Sequence, residues 1–185
     1  WVNYAKKNGM KVRGHSLFDN VGFPPDIQQG KFSPDQMKAM MESHVKRFVT
    51  RYPEIEEWVV VNEPFWAAKG VAGYKPNPFY NAIGLDYVPF AFDLVKKYNS
   101  SAKRMLNSPG LESDNPFANF VFDKLEELKA QDRIETVGFE THAVYPLGGS
   151  LSNPDPLNFP SEEELISQMN RCGKMGLRTS VTELD

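Results

Sequence analysis

Short apolar runs alternate with capped, amphipathic segments along the whole chain, and few folds accept that order. Lys11 to Leu17, Glu57 to Val61, Lys103 to Asn107, Thr136 to His142 and Arg178 to Leu184 have the length and β-branched content of strands. Between them lie helix signals. Residues 1–9 end at Asn8-Gly9. Ser33-Pro34-Asp35 offers a cap, a proline at the first helical position and an acid in the first turn. Met37, Met40, Met41, Val45, Phe48 and Val49 follow at near-helical spacing, and the helix should stop before Pro53. A helix is expected from Asp86 to Tyr98, and another after Asp114 or Asn115, with Pro116 at its start and its end near Gln131. Ser161 with Glu164 forms a capping box, and Gly176 is placed to end that last helix. Loops are expected around Pro24, Pro25 and Gly30, from Pro64 to Gly84, and over 143–160, where Gly148-Gly149 lies.

Helices between successive strands imply a parallel sheet, either a (β/α)8 barrel or an open doubly wound sheet. No glycine-rich phosphate loop follows the first strand. Polar residues instead mark the carboxyl ends of several strands: His15, Asn62-Glu63, Asn107, Glu140 with His142, and Glu183. A barrel assembles its active site in that way. A complete barrel takes about 250 residues, so this 185-residue chain is expected to be a partial TIM barrel, a single incomplete domain over 1–185 holding about five of eight strands. It opens inside a helix without an initiator Met and runs only two residues past Glu183, so both ends look cut.

Charge and cysteine content narrow the function. The formal net charge is −3 with no Lys/Arg run, which argues against a nucleic-acid partner. The acidic cluster Glu162 to Glu164 suits a helix N-terminus. Cys172 is the single cysteine, which excludes an intrachain disulfide and a cysteine-based zinc site. No apolar run approaches the roughly 20 residues of a membrane span. The three histidines show neither HxxxH nor HExxH spacing, so no metal is expected. His44 falls near core positions of its helix and reads as structural, and His15 and His142 alone fit either a packed or a functional role.

Glu63 and Glu183 each follow an apolar strand closely, three strand-helix units apart, on opposite sides of a barrel mouth. Glycoside hydrolysis needs two carboxyls facing each other across the scissile bond, one giving a proton and the other attacking carbon or activating water. Phe65, Trp66 and Tyr74 follow Glu63 in a loop, where they suit sugar stacking or loop packing equally.

Trp58-Val59-Val60-Val61-Asn62-Glu63-Pro64 resembles the acid/base strand of clan A glycoside hydrolases. Val181-Thr182-Glu183-Leu184-Asp185 resembles the nucleophile strand of family 10, the endo-β-1,4-xylanases. Val12-Arg13-Gly14-His15, Ser43-His44-Val45 through Arg51-Tyr52, Gly84-Leu85-Asp86-Tyr87 with Ala91-Phe92, and Gly138-Phe139-Glu140-Thr141-His142 are similar to further segments of that family, in order, from its third strand toward its seventh. The resemblance implies a retaining endo-β-1,4-xylanase with Glu63 as acid/base and Glu183 as nucleophile. It implies substrate contacts from His15, Asn62, Asn107, Glu140, His142 and Trp66, with Asn62 on the sugar 2-hydroxyl and His142 hydrogen-bonded to Glu183. It further implies a xylan-like polysaccharide or oligosaccharide substrate, no metal or organic cofactor, secretion, and a monomer when complete.

Three positions depart from the pattern. Asp19-Asn20 stand where the family usually has Trp-His, Glu140 where it has Gln, and Ser108-Pro109 where it has Asp-Tyr. A third carboxylate near Glu183 opposes its ionisation unless protonated or paired. These departures keep another clan A β-glycanase open, a glucanase or mannanase with shifted subsite preference. A non-catalytic carbohydrate-binding barrel is the third reading, and the presence of both glutamates argues against it.

Overall fold

The structure, a computed structural model, describes residues 1–66, 77–142 and 160–184. Tyr74, the Gly148-Gly149 loop and Asp185 lie outside the described residues. Five strands form one sheet: β1 (Arg13–Gly14), β2 (Glu57–Asn62), β3 (Lys103–Ser108), β4 (Thr136–Phe139) and β5 (Arg178–Val181). They lie side by side in sequence order, and every pairing is parallel. Among the described residues the α-helices are α1 (Val2–Lys7), α2 (Pro25–Gln29), α3 (Pro34–Arg51), α4 (Pro78–Ile83), α5 (Tyr87–Tyr98), α6 (Pro116–Ala130) and α7 (Glu162–Lys174). The sequential parallel order is that of a half-barrel.

Helix starts follow local chemistry. Ser33 Oγ accepts from Gln36 N, and Gln36 Oε1 accepts from Ser33 N, so α3 begins with a full capping box. Ser161 and Glu164 do the same for α7. Asn115 caps α6 through Ala118 N. The apolar face of α3 buries Met37, Met41, Val45 and Val49. Phe48 instead stays exposed, its ring 4.8 Å from that of His44. His44 itself is wedged between Phe18 and Phe48, and burial lowers its pKa, as the structural reading expects.

Two short helices appear where loops are expected. Their signals are in the sequence: Pro24-Pro25-Asp26 opens α2, and Asn77-Pro78 opens α4, which Gly84 closes at φ +63°. Three strands are shorter than expected. β1 pairs over two residues before the chain rejoins β2 at Phe18–Val61. β4 stops at Phe139, shortly before Thr141 turns into left-handed backbone at φ 57°, and β5 stops at Val181, the residue that pairs with Phe139.

A charged network ties the amino ends of the strands together. Glu57 receives Arg13 Nε at 2.8 Å, Arg178 Nη2 at 2.8 Å and Thr136 Oγ1 at 2.9 Å. Arg13 Nη2 reaches on to Ser180 Oγ at 3.0 Å. One carboxylate thus links β1, β2, β4 and β5. Its side chain is 15% exposed, so its loss strands two guanidinium groups at a partly desolvated site. Glu57→Ala is expected to destabilise the fold by about 2 kcal/mol, allowing for the exposure of both arginines. Chemical denaturation of the complete protein checks this, and an unchanged midpoint contradicts it.

Candidate active site

Parallel register places the polar strand ends opposite one another. Asn62 on β2 pairs with Asn107 on β3, and Asn107 pairs with Gly138 on β4. The β2–β3 ladder shifts by one residue between Val59 and Val61. Such a bulge exchanges inward and outward faces for everything after it. It therefore decides which way Asn62 points. The chain then breaks at Glu63, which takes left-handed backbone at φ 47° while its N–H donates to Asn107 O at 2.9 Å. A non-glycine residue there carries strain of about 1–2 kcal/mol, of the kind that collects at functional sites.

Asn107 is completely buried and is the hub of the cluster. Its Nδ2 lies 2.8 Å from Asn62 Oδ1, 3.0 Å from Glu140 Oε1 and 2.7 Å from Glu183 Oε1. Its Oδ1 accepts from Thr182 Oγ1 at 2.7 Å. His142 Nε2 stands 3.4 Å from Glu183 Oε2 and 3.5 Å from Glu140 Oε2. Asp19 reaches the cluster from beyond β1. Its Oδ2 accepts from Ser16 Oγ at 2.9 Å and from Asn62 Nδ2 at 3.3 Å.

The carboxyls differ in character. Glu140 has no exposed surface, and burial pushes its carboxyl up to about 10, with the negative charges of Glu63 and Glu183 adding to the effect. Burial also raises Glu63, and the charges of Asp19 and Glu183 act in the same direction. A hydrogen bond with Glu140 and the charge of His142 draw Glu63 partly back. Glu183 keeps 29% of its side chain exposed. A carboxyl that holds its proton beside one open to solvent is the asymmetry that acid–nucleophile chemistry requires. Among the described residues, Glu140, His142 and Glu183 also bring donor atoms within 4.8 Å of one another, the spacing of a cation site.

Of the residues expected from sequence, Asn62, Glu63, Asn107, Glu140, His142 and Glu183 come together. His15 is exposed just after β1, and its side chain makes no hydrogen bond among the described residues. Trp66 is 2% exposed and meets the Phe117 ring at 5.5 Å, so it packs against α6 and offers no open face for a sugar. Asp19, at one of the departures from the family pattern, also joins the cluster, as does Thr182, which the sequence did not single out. The pairing of Phe18 with Val61, which brings Asp19 to Asn62, is a long-range contact with no local signal.

Parallel strands with acidic groups massed at their carboxyl ends define an α/β barrel-type protein with an acid–base site. The chain belongs to glycosyl hydrolase family 10, whose model matches residues 1–185. It is 28% identical over 183 residues to endo-1,4-beta-xylanase C of Phanerodontia chrysosporium, covering 98% of this chain and 42% of that protein. It is 27% identical to endo-1,4-beta-xylanase B of Thermotoga neapolitana, covering 100% of this chain and 49% of that one. Among solved structures, native xylanase 10B from Thermotoga maritima superposes with a TM-score of 0.83 at 27% identity, over 100% of this chain and 53% of that one. Xylanase 10B from Thermotoga petrophila, solved with xylobiose, gives 0.83 at 27% identity, with 100% and 52% covered. The chain therefore spans about half the length of the relatives it matches.

Gly138 makes room for the hub. A Cβ there would lie 2.0 Å from Asn107 Oδ1 and 3.0 Å from Thr182 Cγ2. Gly138→Ala is expected to push Asn107 out of place and to cost about 1–3 kcal/mol of stability. Thermal or chemical unfolding reads this, and a variant as stable as its parent would show that the packing at Asn107 is looser than described.

Proposed function

We propose that this chain is the part of a retaining endo-β-1,4-xylanase catalytic domain that carries both catalytic carboxyls, Glu63 as acid/base and Glu183 as nucleophile. The observation that carries the reading is the unequal pair on one hub: Asn107 holds Glu183 directly and Asn62 beside Glu63, burial raises the pKa of Glu63, and Glu183 keeps 29% of its side chain exposed. In the first step a Glu183 oxygen bonds to the anomeric carbon, the bond to the leaving sugar breaks, and the Glu63 proton goes to the leaving oxygen. In the second step water attacks that carbon, Glu63 takes the water proton, and the ester to Glu183 breaks. Asn62 donates to the sugar 2-hydroxyl, His142 steadies the Glu183 carboxylate, and His15 contacts the sugar in the same subsite.

The substrate class is a xylan-like β-1,4-linked polysaccharide or its oligosaccharides, in line with the names of the relatives and the xylobiose bound by the Thermotoga petrophila protein. The reaction needs no cofactor. Polymeric substrate places the protein outside the cell, and the complete chain acts as a monomer in which residues 1–185 belong to a single catalytic domain. No helix among the described residues is long and apolar enough to cross a membrane. A glucanase or mannanase specificity is the second reading. It is favoured by Asp19, a carboxylate hydrogen-bonded to Asn62 where the family pattern has an aromatic or imidazole group.

Tested on a panel of β-glycans, the complete protein is expected to hydrolyse xylan fastest. Glucan or mannan turned over faster would move the assignment to the second reading. Glu63→Gln is expected to lower kcat on xylan by about 10²–10⁴-fold, the usual worth of a general acid. It should cost much less on an aryl glycoside whose leaving group needs no proton. Equal losses on both substrates would remove Glu63 from the acid role. Glu63 must be protonated to act, and its pKa is raised. The alkaline limb of kcat/KM therefore lies above the ordinary glutamate value of about 4.3. A limb at or below that value contradicts the assignment.

A further inference from the structure

We propose that Glu140 is a positioning residue, a carboxylic acid that keeps its own proton throughout the reaction and donates it as a hydrogen bond to the Glu63 carboxyl. The inference rests on the acid/base reading of Glu63 and goes beyond it. Glu140 is the first residue after β4 and has no exposed surface. Its Oε1 accepts from Asn107 Nδ2 at 3.0 Å, and its Oε2 has no hydrogen-bond partner of good geometry, with His142 Nε2 at 3.5 Å.

The charges facing it are nearly all negative. Glu63 comes from the end of β2, Glu183 from the end of β5, and Glu112 from the segment between β3 and α6, where its Oε1 accepts from Thr141 N at 2.9 Å. The charge of Asp19 acts on Glu63 in turn. The imidazole of His142 is the single basic side chain in salt-bridge range of Glu140 among the described residues, and it is divided between Glu140 and Glu183. Glu63, Glu140 and Glu183 cannot all ionise together in such a place, and Glu140, the most deeply buried of them, keeps the proton. Burial is the largest influence on Glu140 in that direction.

A neutral Glu140 can donate where an ionised one could only repel. When Glu63 gives its proton to the leaving oxygen, the new carboxylate accepts the Glu140 O–H. The Glu140 O–H bond never breaks, and Glu63 is reprotonated from water in the second step. The hydrogen bond thus offsets part of the burial that makes Glu63 a reluctant acid.

The test uses the complete protein with Glu140→Gln and Glu140→Ala. A carboxyl protonated in the fold and ionised in the unfolded chain weakens the fold progressively as pH rises from its unfolded value toward about 10. Gln removes that penalty. The melting temperature of Glu140→Gln relative to its parent is therefore expected to climb by about 3 °C or more between pH 5 and pH 8. A difference that does not change with pH overturns the proposal, and this readout needs no activity, so it stands even if no β-glycan is hydrolysed. In kinetics, Glu140→Gln is expected to recover about ten-fold or more of the rate lost in Glu140→Ala, since an amide N–H can also donate. The alkaline limb of kcat/KM should stay in place in Glu140→Gln. If Glu140 were ionised, Gln would delete a negative charge and move that limb down by about one unit, which would also overturn the proposal. Should the variants fail to fold, infrared spectra of the unmodified protein decide. A buried neutral-acid carbonyl band that persists at pH 8 supports the proposal, and loss of that band by pH 8 refutes it.

Discussion

One buried amide holds the site together. Asn107 Nδ2 faces acceptors from β2, from the turn after β4 and from the chain beyond β5. Thr182, arriving after β5, fixes the other side of the same amide. Two hydrogens serve three acceptors, so the group is shared and its position is set by all of its partners at once. This works because the strands are parallel and in register, and because Gly138 leaves the space the amide occupies. The two candidate catalytic carboxyls hang on this hub, Glu183 directly and Glu63 through its neighbour Asn62.

At the opposite end of the sheet, Glu57 plays a comparable part with ionic partners. Between the two polar layers lies the apolar run Trp58 to Val61, buried on both faces as a strand of a parallel sheet must be. The half-barrel is thus tied by polar contacts at both ends of its strands, and the proposed chemistry requires fixed geometry at one of them. The cost is a crowd of acids in little water. That crowd separates the carboxyls into a fully buried one and a half-buried one, both with raised pKa, and a third whose side chain is 29% exposed.

Much of this was legible in the sequence, for definite reasons. The capped starts of α3, α6 and α7 are local signals, and the structure uses the same residues. The strand-end positions of Asn62, Glu63, Asn107, Glu140, His142 and Glu183 follow from periodicity and family resemblance together. Other features depend on contacts that no local pattern reveals. The bulge between Val59 and Val61 sets the facing of Asn62, yet a run of valines looks the same with or without it. Asp19 enters the site through the pairing of Phe18 with Val61. Trp66, just after Glu63, suits a sugar platform by composition, but it is buried with the Phe117 ring of α6 against it. Short α2 and α4 carry proline starts that a reading tuned to long periodic helices passes over.

The proposed role of Glu183 is to attack carbon and carry the sugar as an ester. It is tested most directly by incubating the complete protein with a 2-deoxy-2-fluoro xylobioside bearing a good leaving group, then mapping the modified peptide by mass spectrometry. A retaining pair predicts one stable glycosyl adduct per molecule, on Glu183. An adduct on another residue, or no adduct together with inverted stereochemistry of the product, would contradict the account.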